Sequence, residues 1–268
     1  MDNRPIGIFD SGVGGVTVFS KVIKVLPHED IIYLGDTARL PYGTKSKGTI
    51  IEFTKQCIDI LIKKNVKAIV IACGTASSQA LEEIKNLYNI PIIGIIKPTS
   101  DTLLGINKKV GVIATSGTIK SNAWEEEIKK VNKNIEVISK ACPLLVQMAE
   151  DGWTDNEIAK LVVKEYMKAF KKSNINKLIL GCTHYPLFTN VIEQELGTNV
   201  EIINTGENCA RYLEEILKDK GIQNIEGNIA KYKFYLTDTE VNFYNIANRI
   251  LEDKYKIQKE DIELIAVT

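Results

Sequence analysis

The sequence has no surplus of either charge: Lys and Arg number 34, and so do Asp and Glu. A dedicated nucleic-acid binder shows a cationic excess, so that class is set aside. No apolar run approaches the ~18 residues of a membrane-spanning helix, so no membrane partner is expected. The opening Met-Asp-Asn-Arg-Pro lacks a basic stretch followed by an apolar one, so no secretory signal is read there. A cytoplasmic location is the expectation. The five cysteines are odd in number and show no Cys-x-x-Cys spacing. That argues against a disulfide framework and against structural zinc. In a reducing compartment Cys57, Cys73, Cys142, Cys182 and Cys209 are free thiols, each either core filler or a reactive group. Histidine is scarce, with only His28 and His184. Low-complexity segments and obvious linkers are absent.

What is present alternates. Short apolar runs read as buried strands over 6–9, 30–34, 68–72, 92–96, 110–114, 135–139, 177–180 and 200–203. Between them lie amphipathic segments over 47–64, 76–88, 121–131, 157–172, 207–218 and 240–251. In the first of these, Ile50, Thr54, Cys57, Ile58, Leu61 and Ile62 share a face. Strand and helix in alternation predict an α/β fold with parallel sheet.

The two halves also look alike. "IGIFDSGVGG" (6–15) and "VGVIATSGT" (110–118) are both strands that run into small and hydroxyl residues. "AIVIACGTAS" (68–77) and "LILGCTHYP" (178–186) are both strands that end at a cysteine followed closely by threonine. Aligning Gly111 with Gly7, and Cys182 with Cys73, gives similar offsets of domain size, as a pseudo-repeat would. Ligands of open α/β sheets bind beyond the carboxyl ends of the strands. Two facing halves would then put one thiol on each side of a shared cleft.

A helix entrance favours a thiolate, so Cys73 and Cys182 differ from Cys57, Cys142 and Cys209, which read as structural. Two opposed thiols suit the inversion of a stereocentre: one removes a proton from carbon and the other supplies one to the opposite face. A thiol hydrolase would need one cysteine and a histidine, leaving the second cysteine without a role. Asp10 and His184 are placed to help as proton carriers, or are a helix cap and a structural histidine respectively. "DSGVGG" (10–15) lacks the Lys-Ser/Thr of a phosphate loop, so its glycines read as a backbone approach to a small ligand such as a carboxylate. "LPYGTKS" (40–46) is a turn that could edge a pocket with Tyr42 and Gly43. The hydroxyls of Ser11, Thr75, Thr118 and Thr183 are donors or caps.

"FDSGVGG" (9–15), "GDTARLPYG" (35–43), "ACGTAS" (72–77), "IATSGTIKS" (113–121), "GCTHYPLF" (181–188) and "INTGENCA" (203–210) occur in one order along most of the chain. Together they resemble the glutamate racemase family. The resemblance implies a cofactor-independent enzyme that supplies D-glutamate for bacterial peptidoglycan. Cys73 would act on the D-enantiomer and Cys182 on the L-enantiomer, with Asp10, His184 and Glu150 as auxiliary acids and bases. Asp10, Ser11, Tyr42, Gly43, Gly74, Thr75, Thr118, Thr183 and His184 match its substrate-contacting stretches. It implies two α/β domains, 1–97 with 207–268 and 98–206, and commonly a homodimer. A peptidoglycan-precursor effector or a gyrase contact would rest on the resemblance alone.

One departure stands out. The family usually reads Ala-Cys-Asn-Thr where this chain reads Ala-Cys-Gly-Thr. Gly74 lacks the amide, so binding is expected to be weakened or re-tuned while the thiol chemistry persists. A racemase for aspartate or another amino acid, or a paralogue that mainly binds a partner, are the rival readings.

Overall fold

Ile6–Asp10 (β1) is buried along its whole length: parallel strands pair with both of its edges, and apolar helix faces cover Ile6 and Ile8 on one side of the sheet and Phe9 on the other. The computed structural model describes residues 2–105, 109–225, 229–239, 242–251 and 255–267. In the first half β1 is followed by α1 (Val16–Val25), β2 (Ile31–Gly35), α2 (Lys47–Lys63), β3 (Ala68–Ile71), α3 (Gly74–Gln79), α4 (Leu81–Ile84), β4 (Ile92–Gly94) and α5 (Ile96–Asp101). The second half runs β5 (Lys109–Ala114), α6 (Ser116–Lys120), α7 (Ala123–Val131), β6 (Glu136–Ala141), α8 (Leu144–Glu150), α9 (Glu157–Ser173), β7 (Lys177–Leu180), α10 (Thr189–Leu196) and β8 (Glu201–Asn204). The chain then gives α11 (Thr205–Asp219), β9 (Tyr232–Leu236), α12 (Phe243–Leu251) and β10 (Ile262–Leu264).

The strands form two parallel sheets, ordered β10-β9-β2-β1-β3-β4 and β6-β5-β7-β8. Their centres have the same plan: β2-β1-β3-β4 in one is β6-β5-β7-β8 in the other. The pseudo-repeat read from the sequence is therefore a repeat of topology, with Cys73 and Cys182 just past equivalent strands, β3 and β7. Helices cover both sheets by ordinary amphipathic packing. On α2, Ile50, Thr54, Cys57, Ile58 and Leu61 are buried, a stripe at the helical spacing, and the Ser46 side chain caps the first turn by accepting from Thr49 N–H. One apolar cluster joins the halves, running from Ile6, Ile8 and Val70 to Val110, Trp124 and Ile179. The chain returns to the first sheet through α11, whose Cys209, Ala210, Leu213 and Leu217 join that cluster beside Val18, Phe19 and Val22 of α1.

Several elements differ from the sequence reading. The last sheet strands, β9 and β10, were not expected. The segment 92–96 is strand only to Gly94, because Ile96 opens α5. The single helix expected over 76–88 is two short ones broken at Ala80; just before the break the Ser77 hydroxyl turns back to the Ile71 carbonyl at 2.8 Å. The helix expected over 121–131 starts at Ala123, after Asn122 in the left-handed conformation at φ 60°. The start expected for the last helix, 240–241, lies outside the described residues. Among the described residues no helix is long and apolar enough to cross a membrane.

Candidate active site

Cys73 and Cys182 open onto one cavity of about 100 Å³ between the two sheets. Each thiol is only 5% exposed, so a reacting group there works largely out of water. Cys73 caps α3, and its Sγ lies 3.6 Å from Ser11 Oγ, its hydrogen-bond acceptor. Cys182 lies 3.7 Å from Nδ1 of His184. The other ring nitrogen of His184, Nε2, is hydrogen-bonded to Oε1 of Glu150 at the end of α8. The carbonyl oxygen of Glu150 in turn accepts from Asn242 Nδ2 at 3.4 Å, a contact from the returning chain.

Asp10 ties the glycine loop to the opposite half. Its Oδ2 accepts from the N–H groups of Gly12 and Gly15 at 3.1 and 3.0 Å, ordering the glycine loop. Its Oδ1 accepts from Thr183 Oγ1 at 3.3 Å, across the seam between the halves. The loop is held again where Thr17 Oγ1 donates to the Thr183 carbonyl at 2.9 Å. A Cβ on Gly14 would stand 2.7 Å from His184 Nδ1, so the glycine is needed for this close approach.

The wall at 40–44 is built from below. Asp36 is fully buried and accepts from Arg39 Nε at 2.7 Å, from Thr237 Oγ1 at 2.9 Å and from the Tyr42 hydroxyl. The Tyr42 hydroxyl is thus taken up by Asp36, while Leu40, Tyr42 and Gly43 line the cavity. Across from them, Thr75 and Thr115 pair through their hydroxyls at 2.9 Å, and Thr115 pairs with Thr118 at 2.9 Å.

Of the residues singled out by sequence, Ser11, Tyr42, Gly43, Cys73, Gly74, Thr75, Cys182, Thr183 and His184 line the cavity. Asp10, Thr118 and Glu150 sit one contact behind it, through Thr183, Thr115 and His184 respectively. Thr115, Ser116, Pro143, Val146 and Gln147 also line it and were missed. The repeat held a signal for one of them, since aligning Gly111 with Gly7 sets Thr115 opposite Ser11. Cys57, Cys142 and Cys209 are buried elsewhere in the apolar clusters. His28 is half-buried and outside the cavity wall. Among the described residues no group of three or more His, Cys, Asp or Glu converges as a metal site.

The electrostatics are asymmetric. Burial, and next the charge of Asp10, push the Cys73 thiol up to about 12, outweighing the N–H of Ala76 that favours the thiolate. At Cys73 the pull of the helix entrance toward a thiolate is therefore outweighed by burial. Asp10 is itself raised to about 6 by burial, against the opposing pull of His184 and the loop N–H groups. For His184 burial works to lower the pKa, but hydrogen bonds to Cys182 and Glu150 prevail and hold it well above 6.5.

The Asp/Glu/Hydantoin racemase family model matches residues 6–213. A glutamate racemase of Sulfurihydrogenibium is 46% identical over 263 residues, 97% of each chain. One from Geobacter metallireducens is 41% identical over 253 residues, 94% of each chain. The crystal structure of the Francisella tularensis glutamate racemase in complex with D-glutamate is 41% identical, with a TM-score of 0.92 and coverage of 100% of this chain and 99% of that one. By sequence and by fold, the chain belongs to the Asp/Glu/hydantoin racemase family and groups there with the glutamate racemases.

Proposed function

We propose that the chain interconverts L- and D-glutamate by a two-thiol, two-base proton transfer. The observation that carries this reading is the pair of thiols, supplied by equivalent strands of two sheets of like plan, on one small cavity. One cysteine, as thiolate, takes the proton from Cα of the substrate; the other, as thiol, gives its proton to the opposite face. The electron pair left on Cα by the first step forms the new C–H bond in the second. Cys182 serves the L-enantiomer and Cys73 the D-enantiomer, and the roles exchange in reverse.

The difficulty is the weak acidity of that carbon and the modest basicity of a thiolate. The N–H groups and hydroxyls around the cavity meet the substrate carboxylate, and hydrogen bonds preorganised away from water stabilise the developing charge. His184, held by Glu150, moves the proton of Cys182. Asp10 opposes a thiolate on Cys73 until the substrate ammonium enters and offsets its charge. Every proton is carried by a side chain of the protein, so the proposed reaction uses no cofactor.

The proposed division is a first domain of 1–97 with 207–268 and a second of 98–206. The setting that suits the reaction is the bacterial cytoplasm, with D-glutamate passing to cell-wall synthesis and a homodimer as the working form. A second reading, aspartate as substrate, is favoured by the small cavity and by Gly74, which leaves the substrate one amide fewer.

The test is incubation with D- or L-glutamate in deuterium oxide without cofactor, following circular dichroism and Cα deuteration. Loss of optical activity from both enantiomers is expected, abolished by Cys73→Ala or by Cys182→Ala. Silence with glutamate but turnover of aspartate would transfer the proposal to the second reading. Silence with both would leave a binding protein.

A further inference from the structure

Gly74 meets Gly181 across the seam between the halves. A Cβ built on Gly74 would overlap the carbonyl oxygen of Gly181, and would lie 3.3 Å from its carbonyl carbon and 3.7 Å from Cys182 Cα. Even a favourable carbon–oxygen contact stands near 3.3 Å, so any L-residue here must part the two backbones by about 1 Å. Neither backbone gives easily. Gly181 N–H bonds the Ile113 carbonyl at 2.8 Å, and the Cβ position of Gly181 is closed by Trp124 Nε1 at 2.8 Å and Ile113 O at 2.9 Å. On the other side Ser77 N–H bonds the Cys73 carbonyl at 2.8 Å, and the Thr75 hydroxyl is tied to Thr115. The seam repeats the device at Gly43, whose Cβ would stand 2.7 Å from Thr115 Cβ.

Gly74 directly follows Cys73, and Gly181 directly precedes Cys182. The backbone contact is therefore one residue from each thiol, and a wedge between the glycines moves the thiols apart. We propose that Gly74 is a positioning residue: presenting no side chain to the Gly181 carbonyl, it lets the halves close until Cys73 and Cys182 flank one small cavity. This rests on the two-thiol reading above. It also reverses the expected effect of restoring asparagine at 74, which would add an amide and at the same time open the seam.

The experiment compares the wild-type chain with Gly74→Ala, Gly74→Asn and Gly43→Ala. It reads kcat and KM for both enantiomers of glutamate, the far-ultraviolet circular dichroism, and the rates at which iodoacetamide alkylates Cys73 and Cys182 in the ligand-free protein. Both substitutions at 74 are expected to fold and to lower kcat about 100-fold, the usual effect of a ~1 Å misplacement. Both thiols should alkylate roughly tenfold faster as they gain access to solvent. If the substitutions at 74 do not fold, Gly43→Ala carries the test through the same rise in alkylation. A kcat within about threefold of wild type in folded Gly74→Ala would overturn the proposal, as would unchanged alkylation in every folded variant. So would Gly74→Asn with lower KM and undiminished kcat. If the wild type turns over no glutamate, the racemase reading fails and alkylation alone judges the closure.

Discussion

Cys182 and His184, two residues apart in the chain, face each other at 3.7 Å from Sγ to Nδ1, and the far nitrogen of that ring is bonded to Glu150. Cys73 instead donates to a serine hydroxyl, that of Ser11. The two enantiomers of the proposed substrate therefore meet different proton carriers.

Replacing His184 by Asn should lower kcat/KM by roughly 10²- to 10⁴-fold, the usual contribution of a positioned acid or base. Because enantiomers are equal in free energy, the loss must be the same in both directions. The asymmetry should appear in the primary deuterium isotope effect, which should grow more with L-glutamate, where Cys182 takes the proton. Equal isotope effects for the two enantiomers would show that His184 does not act through Cys182.

Asp10 gives a signed pH dependence. Its carboxyl is raised by burial to about 6 in the folded chain, against about 3.9 unfolded. The folded state holds the proton longer, so stability is fullest below pH ~4, falls between about 4 and 6, and is level above. Two units correspond to about 3 kcal/mol. Asp10→Asn should remove this slope, so that urea denaturation at pH 8 favours the variant by up to about 3 kcal/mol more than at pH 4. If the ionised carboxylate serves catalysis, the wild-type kcat/KM profile should rise through pH ~6 and the variant's should not.

Tyr42→Phe separates a structural hydroxyl from a catalytic one. The hydroxyl is committed to buried Asp36. Its removal should reduce stability by about 1–3 kcal/mol, as a buried carboxylate loses one donor. The value of kcat should stay within about threefold of wild type. A much larger fall in steady-state assays would mean that the hydroxyl reaches the substrate.

Far from the cavity, Lys67 and Glu29 form a 2.6 Å ion pair with both side chains fully buried. Lys67 also donates to the carbonyls of Asp2 and Ile222 at 2.7 and 2.8 Å. Lys67→Met should cost about 3–5 kcal/mol by leaving a carboxylate buried without its partner. The double variant with Glu29→Gln should be less destabilised than the two single variants summed, as measured by denaturant unfolding.

The parts of the fold that could be read in advance were those with one strong local signal. A buried strand such as Ala68–Ile71 is an unbroken apolar run, and α2 shows its stripe in the spacing of Ile50, Thr54, Ile58 and Leu61. Strand β9, Tyr-Lys-Phe-Tyr-Leu, carries a lysine mid-run and pairs with β2, some 200 residues earlier in the chain, so no local pattern announces it. The site divided in the same way. The thiols, His184 and Thr183 stand at strand ends that the sequence displays, whereas Pro143, Val146 and Gln147, at the start of α8 and within it, meet Leu40 and Tyr42 around the cavity only in the assembled fold. The resting state of Cys73 was hidden for another reason: burial outweighs the helix entrance, and burial is a property of the assembled cleft.

The hydroxyls of Thr75, Thr115 and Thr118 bridge the two halves beside the cavity. Hydroxyl pairs trade one another for water with a net change of only about 0.5–1.5 kcal/mol each. Such contacts therefore set the register of the two halves rather than the strength of their association, which comes from the apolar cluster that both halves share.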